Sequence, residues 1–183
     1  PGIHKFTIVV RTTPETVEKV VRQIEKKIDV LKAFVFERHN ATGRHGVGFV
    51  KGFHVQCGAM ASTVAHDAHN LLVIGTNDED MALAANTLIA CGGGEVIVQN
   101  GEVLGCVPLP LAGLMNPKPA EEMNALVENL GKAWKQIGCD IQSPFMTMAL
   151  IPLACLPELR LTNRGLVDCT TFSFTDLEVD TEQ

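Results

Sequence analysis

The sequence contains no tyrosine, one tryptophan and only 5% aromatic residues, so aliphatic side chains, alanine and cysteine carry its 46% apolar content. Basic charge is also scarce. Fifteen Lys and Arg against 21 Asp and Glu give a net charge of −6, the wrong sign for a surface that tracks a phosphate backbone, which excludes nucleic acid as an expected partner. Nowhere is there a run of about 20 apolar residues, the length that crosses a bilayer. The longest apolar stretch, from Phe145, is interrupted by Pro152 and Pro157 and runs into Glu158 and Arg160, so no membrane partner is expected either. The opening Pro1-Gly2-Ile3-His4-Lys5 lacks the basic region and apolar core of a secretory leader, which sets a cytoplasmic expectation. The six cysteines, Cys57, Cys91, Cys106, Cys139, Cys155 and Cys169, include no C-x-x-C pair. That argues against a zinc site made from them, and they are expected to be buried free thiols. A chain of 183 residues buries roughly 70% of its extended surface on folding and needs no crosslink or metal for stability.

Several catalytic signatures are missing too. There is no G-x-S-x-G elbow and no H-E-x-x-H pair. Gly92-Gly93-Gly94 follows a helical pattern and precedes a strand pattern, the reverse of a phosphate loop, and Gly46-x-Gly48 has neither a third glycine nor a following helix. The residues alone therefore demonstrate no nucleotide site and no independent catalytic centre.

What is present reads as two cycles of strand, helix and hairpin. The first predicts a strand over residues 3–11, an amphipathic helix from Thr13-Pro14 with Val17, Val20, Val21, Ile24 and Ile28 on one face, and strands at 33–37 and 46–53. The second predicts a buried strand over 70–75 and a helix to Cys91 opened by a Thr76/Glu79 capping box and ended by the three glycines. A hairpin over 95–107 turning at Asn100-Gly101 completes it. An apolar connector over 108–119 must lie against something. A third helix from Pro119 follows, with Met123, Leu126, Val127, Leu130, Trp134 and Ile137 as its apolar stripe, ended by Gly138. Pro144 to Cys155 reads as strand-like, 159–162 and 166–168 flank a turn, and 176–183 is an acidic tail. The sum is an α+β domain over 1–175, with about three helices on a mixed or antiparallel sheet.

The densest polar constellation is His66-Asp67-Ala68-His69-Asn70. Two imidazoles with a carboxylate between them and an amide after them can bind a divalent metal or hydrogen-bond a heteroaromatic ligand. The same residues can equally form a polar turn that satisfies local backbone groups. A zinc site needs a third ligand, and Glu37-Arg38-His39 supplies one only if the fold brings it near. Asn77-Asp78-Glu79-Asp80 is explained by helix capping rather than by metal binding.

The stretch Gly58-Ala59-Met60-Ala61-Ser62-Thr63-Val64-Ala65-His66-Asp67-Ala68-His69-Asn70, followed by Gly75-Thr76-Asn77-Asp78-Glu79-Asp80-Met81-Ala82, closely resembles the C-terminal domain of adenine deaminases, members of the amidohydrolase superfamily. The similarity runs from Glu37-Arg38-His39 through Gly46 to Gly52, the three glycines, Pro108 to Leu114, Pro144-Phe145-Met146 and Thr162 to Asp168. The sequence departs at Ala68, where family members often carry serine, and at His54, where they often carry glycine.

The resemblance implies that the whole enzyme hydrolyses adenine to hypoxanthine and ammonia in purine salvage. The reaction would run at a divalent metal pair (manganese, iron or zinc) held by an N-terminal amidohydrolase barrel. No H-x-H pair occurs here, and such a barrel needs about 250 residues. This chain is thus expected to be the trailing domain, with no metal or cofactor of its own and no turnover alone. Its expected partners are that barrel and further copies in a homo-oligomer. His66, Asp67, His69 and Asn70 are expected to face the barrel mouth, near substrate. Two alternatives stand beside this one: a purely structural or oligomerisation domain, and a stand-alone metal-dependent hydrolase using His66, His69 and Asp67, with His39 as a further ligand.

Overall fold

β-Branched and aromatic residues at alternate positions form β1 (Val30–Phe36), which pairs antiparallel with β2 (His45–Lys51) on one side and β4 (Leu71–Gly75) on the other. A computed structural model describes residues 29–40 and 42–177. The strand expected over 3–11, the helix expected from Thr13 to Ile28 and residues 178–183 of the acidic tail lie outside the described residues. β3 (Ala59–Ser62), β5 (Gly94–Gln99) and β6 (Glu102–Pro108) complete a six-stranded sheet in the order β2-β1-β4-β3-β5-β6, antiparallel at every step. A smaller antiparallel sheet holds β7 (Leu159–Thr162), β8 (Gly165–Asp168) and β9 (Ser173–Thr175). The α+β expectation is met.

Both faces of the large sheet are covered, which is why Leu71-Leu72-Val73-Ile74 is apolar without alternation. Ala59, Ala61, Leu71, Val73, Val96 and Val98 pack under Met81, Ala84 and Leu88 of α1 (Asp78–Cys91). Leu31, Ala33, Val35, Met60, Leu72, Ile74 and Ile97 face the other way. They meet Leu130, Ala133 and Ile137 from α2 (Ala120–Gln136) and its end, and Phe145 and Met148 of α3 (Pro144–Ala149). The six cysteines are uncrosslinked, but only Cys139 and Cys169 are buried and Cys155 is exposed, so the buried-thiol expectation holds for two of them.

The α1 cap sits one residue later than expected. Asn77, not Thr76, is the cap residue, its side chain accepting from the Asp80 amide at 2.8 Å. The Asp80 carboxylate is 2% exposed and accepts from Asn77 Nδ2, the Asn100 amide and the Gly101 amide at 2.9, 3.0 and 2.7 Å. Burial works to raise the Asp80 pKa, but these hydrogen bonds outweigh it and hold the carboxyl below its usual value. This acidic cluster therefore pins the Asn100-Gly101 turn to the helix. Thr76 Oγ1 instead accepts from the Gly58 amide at 3.0 Å.

The expectation of a strand over 144–155 is corrected. Residues 144–149 form α3, and turns follow. Pro144 fits the first helical turn, Phe145, Met146, Met148 and Ala149 tolerate it, and Pro152 lacks the amide that would continue it. A short apolar run does not distinguish helix from strand by periodicity. Gly46 and Gly48 are explained by close approach. A Cβ at Gly46 would collide with the Thr162 carbonyl oxygen, and one at Gly48 would lie 3.3 Å from Leu161 Cδ2, so the small sheet rests directly on β2.

Candidate functional site

The pairings Phe36 with Leu71, Ser62 with Leu72 and Glu95, and Glu95 with Val107 bring five strand ends to one end of the large sheet. The segments leaving there, Glu37-Arg38-His39, Thr63 to Asn70, and Leu109 to Met115, meet although they are far apart in sequence.

Arg38 joins all three. Its backbone amide donates to Asn70 Oδ1 at 3.2 Å, Nε donates to the His69 carbonyl at 2.8 Å, and Nη2 donates to the Ala112 carbonyl at 2.9 Å. Thr63 makes the second tie, with Oγ1 donating to the Gly113 carbonyl at 2.7 Å and accepting from the Gly94 amide at 2.8 Å. His39 does come near the loop, but its side-chain Nε2 is spent on a hydrogen bond to the Ala68 backbone carbonyl. The Glu37 carboxylate turns back to accept from the amides of Asn40 and Thr42 at 2.8 and 3.2 Å. Neither offers a third metal ligand. Among the described residues, no three His, Cys, Asp or Glu side chains gather to hold an ion.

His69, at φ +49, accepts from the Ala65 amide at Nδ1 (3.3 Å), which places its proton on Nε2. Burial, and then the positive fields of His66 and Arg38, lower its pKa, so at neutral pH it is an uncharged Nε2–H donor. The His66 ring meets it edge-on with centroids 5.2 Å apart, and the His66 amide donates to the Ala149 carbonyl at 2.9 Å. Asp67 is exposed, with His66 Nδ1 4.0 Å away. The four expected residues thus share one loop but divide. Asp67 and Asn70 line an open recess of about 480 Å³, and His66 and His69 do not. Close by, exposed Met146 and Leu150 flank the Ala149 contact, and exposed Leu111 and Met115 flank the Arg38 contact. Only Leu109 of the apolar connector packs on the core.

Two groups escaped sequence reasoning. Arg38 stood in a quoted motif, yet its clamp depends on the 109–115 loop returning to β1, which no local spacing reveals. Glu95, beside Ser62 at the same sheet end, has its pKa pushed up to about 7 by burial, so near neutral pH it both holds and releases a proton. An isolated glutamate in a strand carries no sequence signal of this.

At the opposite end of β1, His54 bonds Asp140 Oδ1 through Nδ1, with Asp29 Oδ2 3.6 Å from Nε2. Its φ of +57 lies in the left-handed region that glycine adopts most readily. The Asp140 hydrogen bond, aided by the charges of Asp140 and Asp29, raises the His54 pKa against a smaller opposing effect of burial. A raised folded-state value means that the stabilisation is complete below the unfolded histidine pKa of about 6.5 and is lost as pH rises through the folded value. Urea midpoints of the wild type and His54→Asn, which tolerates positive φ, should differ at pH 6 and converge by pH 9. A difference independent of pH would contradict the ion pair.

What fold and site together define is an antiparallel α+β domain with its hydrogen-bonding and titratable side chains gathered at one end of the sheet. Its sequence matches the profile described as "Adenine deaminase C-terminal domain" over residues 6–173. Among its relatives are proteins named adenine deaminase. One from Clostridium botulinum (strain Langeland / NCTC 10281 / Type F) is 66% identical over 98% of this chain and 32% of its own length. One from Moorella thermoacetica is 58% identical over 81% and 25%, and one from Sinorhizobium fredii is 46% identical over 79% and 26%. The chain belongs to the adenine deaminase C-terminal domain family, and it spans about a third or less of the length of these relatives. No helix among the described residues is long and apolar enough to cross a membrane.

Proposed function

We propose that this chain serves a deaminase that converts adenine and water to hypoxanthine and ammonia, packing the His66–Asn70 end of its sheet against the rest of that enzyme and closing its reaction site. The observation that carries this is the convergence of three sequence-distant segments on Arg38, which presents neutral His69 beside His66 and Asp67 at one end. Exposed Leu111, Met115, Met146 and Leu150 beside it suit burial against a second domain, where they would exclude water from the substrate. On this reading His69 Nε2–H donates to a purine ring nitrogen.

A divalent metal pair, when bound, supplies an activated water for such a hydrolysis. The residues described here do not fit one: His69 Nδ1 already accepts from the Ala65 amide, and His39 Nε2 is committed to a carbonyl. The ligands would lie in the remaining two thirds of the enzyme, an amidohydrolase barrel on this reading. The chain alone is then inactive, and the enzyme is a cytoplasmic homo-oligomer, with exposed Ile89 and Phe172 as surface for self-association.

Ammonia release from adenine should be measured for this chain, for the remainder of the enzyme, and for both together. This chain alone should show none, and adding it should raise kcat/KM of the remainder by about tenfold or more, the scale of one positioned donor. A remainder equally active without it, or turnover by this chain unaided, would overturn the reading.

A further inference from the structure

The recess beneath the β3–β4 loop is separate from the face carrying the two imidazoles. It is lined by Asp67, Ala68 and Asn70 of that loop, by Asn163 and Arg164 of the β7–β8 turn, and by apolar residues that include Val35 and Val167. Its volume, about 480 Å³, falls within the roughly 300–1,000 Å³ of small-molecule sites. Asn70 is 5% exposed and its Oδ1 is taken by the Arg38 amide, yet its Nδ2 has no hydrogen-bond partner among the described residues. That donor is not sealed from solvent, and it belongs to a residue that lines the recess. The Arg164 guanidinium lies 5.3 Å from the Phe174 ring centre and pairs with no carboxylate among the described residues. The turn bearing it is held by Thr162 Oγ1, which accepts from the Arg164 amide at 3.1 Å and donates to the Gly165 carbonyl at 3.0 Å.

We infer that this recess is a binding site for a purine base. One carboxylate and one guanidinium leave its walls without net charge, so a free anion or cation meets a like charge, whereas a neutral heterocycle with both donors and acceptors is matched on each side. Asp67 accepts from a ring N–H or exocyclic amine. Asn70 Nδ2 and Arg164 donate to a ring nitrogen or carbonyl, and the apolar residues cover the ring. The choice of a purine over another planar heterocycle rests on the deaminase reading, but the site lies wholly within this chain.

The 183-residue chain, labelled with ¹⁵N, should be titrated with adenine and, separately, with hypoxanthine while the Asn70 side-chain amide and the Arg164 signals are followed. At least one base should give saturable shifts with a Kd below about 1 mM. Asp67→Ala and Arg164→Ala, both at exposed positions and so with unchanged circular dichroism, should each weaken binding by about tenfold. No saturable shift with either base, or shifts that survive both substitutions undiminished, would overturn the site. Binding without the complementation described above keeps the recess and removes the deaminase reading, and complementation without binding does the reverse.

Discussion

Arg38→Ala should lower the stability of the chain by about 3 kcal/mol and, in the complete enzyme, cut adenine turnover more than any single substitution in the loop it holds. The loss follows from two charge-assisted hydrogen bonds: the partly buried one to the His69 carbonyl contributes about 1.5–3 kcal/mol and leaves that carbonyl unpaired, and the exposed one to the Ala112 carbonyl contributes less because water replaces it. The backbone bond from residue 38 to Asn70 Oδ1 survives the substitution, so the loop loosens rather than unfolds. Arg38→Lys separates fork geometry from charge. One ammonium cannot span two carbonyls from different loops as the planar guanidinium does, so Lys should recover less than half of the loss in urea unfolding. Full recovery by Lys would mean that charge alone matters.

Gly93→Ala should be comparably damaging for a steric reason. Gly93 has φ +117, and a Cβ there would stand 2.5 Å from Gly113 Cα and 2.9 Å from Thr63 Oγ1. A left-handed or more extreme backbone costs about 1–3 kcal/mol for a residue with a Cβ, and forcing a methyl into packed atoms adds about 1–3 kcal/mol. The neighbour that must yield is Gly113, itself packed on the Arg38 guanidinium with Nη1 2.7 Å from its own would-be Cβ. The damage thus travels into the clamp. Gly101→Ala is the control. Its φ is +77 but nothing lies within 4 Å of a Cβ, so only the backbone cost of about 1 kcal/mol remains. Equal urea midpoints for the two variants would show that the Gly93–Gly113 contact is not tight.

Elements whose signals are local were legible in the sequence. Asn100-Gly101 turns a hairpin with both residues at positive φ (53° and 77°), and Gly92 ends α1 at φ +83, because only a few residue types make those conformations cheap. β3 was not legible. Ala59-Met60-Ala61-Ser62 has neither β-branched enrichment nor alternation, and it is a strand because β4 and β5 pair on either side of it. The Asn77 cap displaced the expected Thr76 because the Thr76 hydroxyl is drawn to Gly58, a contact 18 residues away. In the site, the four loop residues were legible as a group. Their sorting into a recess side and an imidazole side was not, since it depends on the β7–β8 turn nearly a hundred residues later.

On the proposed function, the β3–β4 loop takes part in adenine turnover. The most direct test of that role is kcat/KM for adenine in the complete enzyme carrying His66→Ala or His69→Ala, with the thermal midpoint measured alongside. At least one substitution should lower kcat/KM by about tenfold or more, the effect of removing a positioned donor, while the enzyme remains folded. Changes of less than about twofold for both, in folded enzyme, would contradict the claim and leave this end of the sheet a purely structural contact.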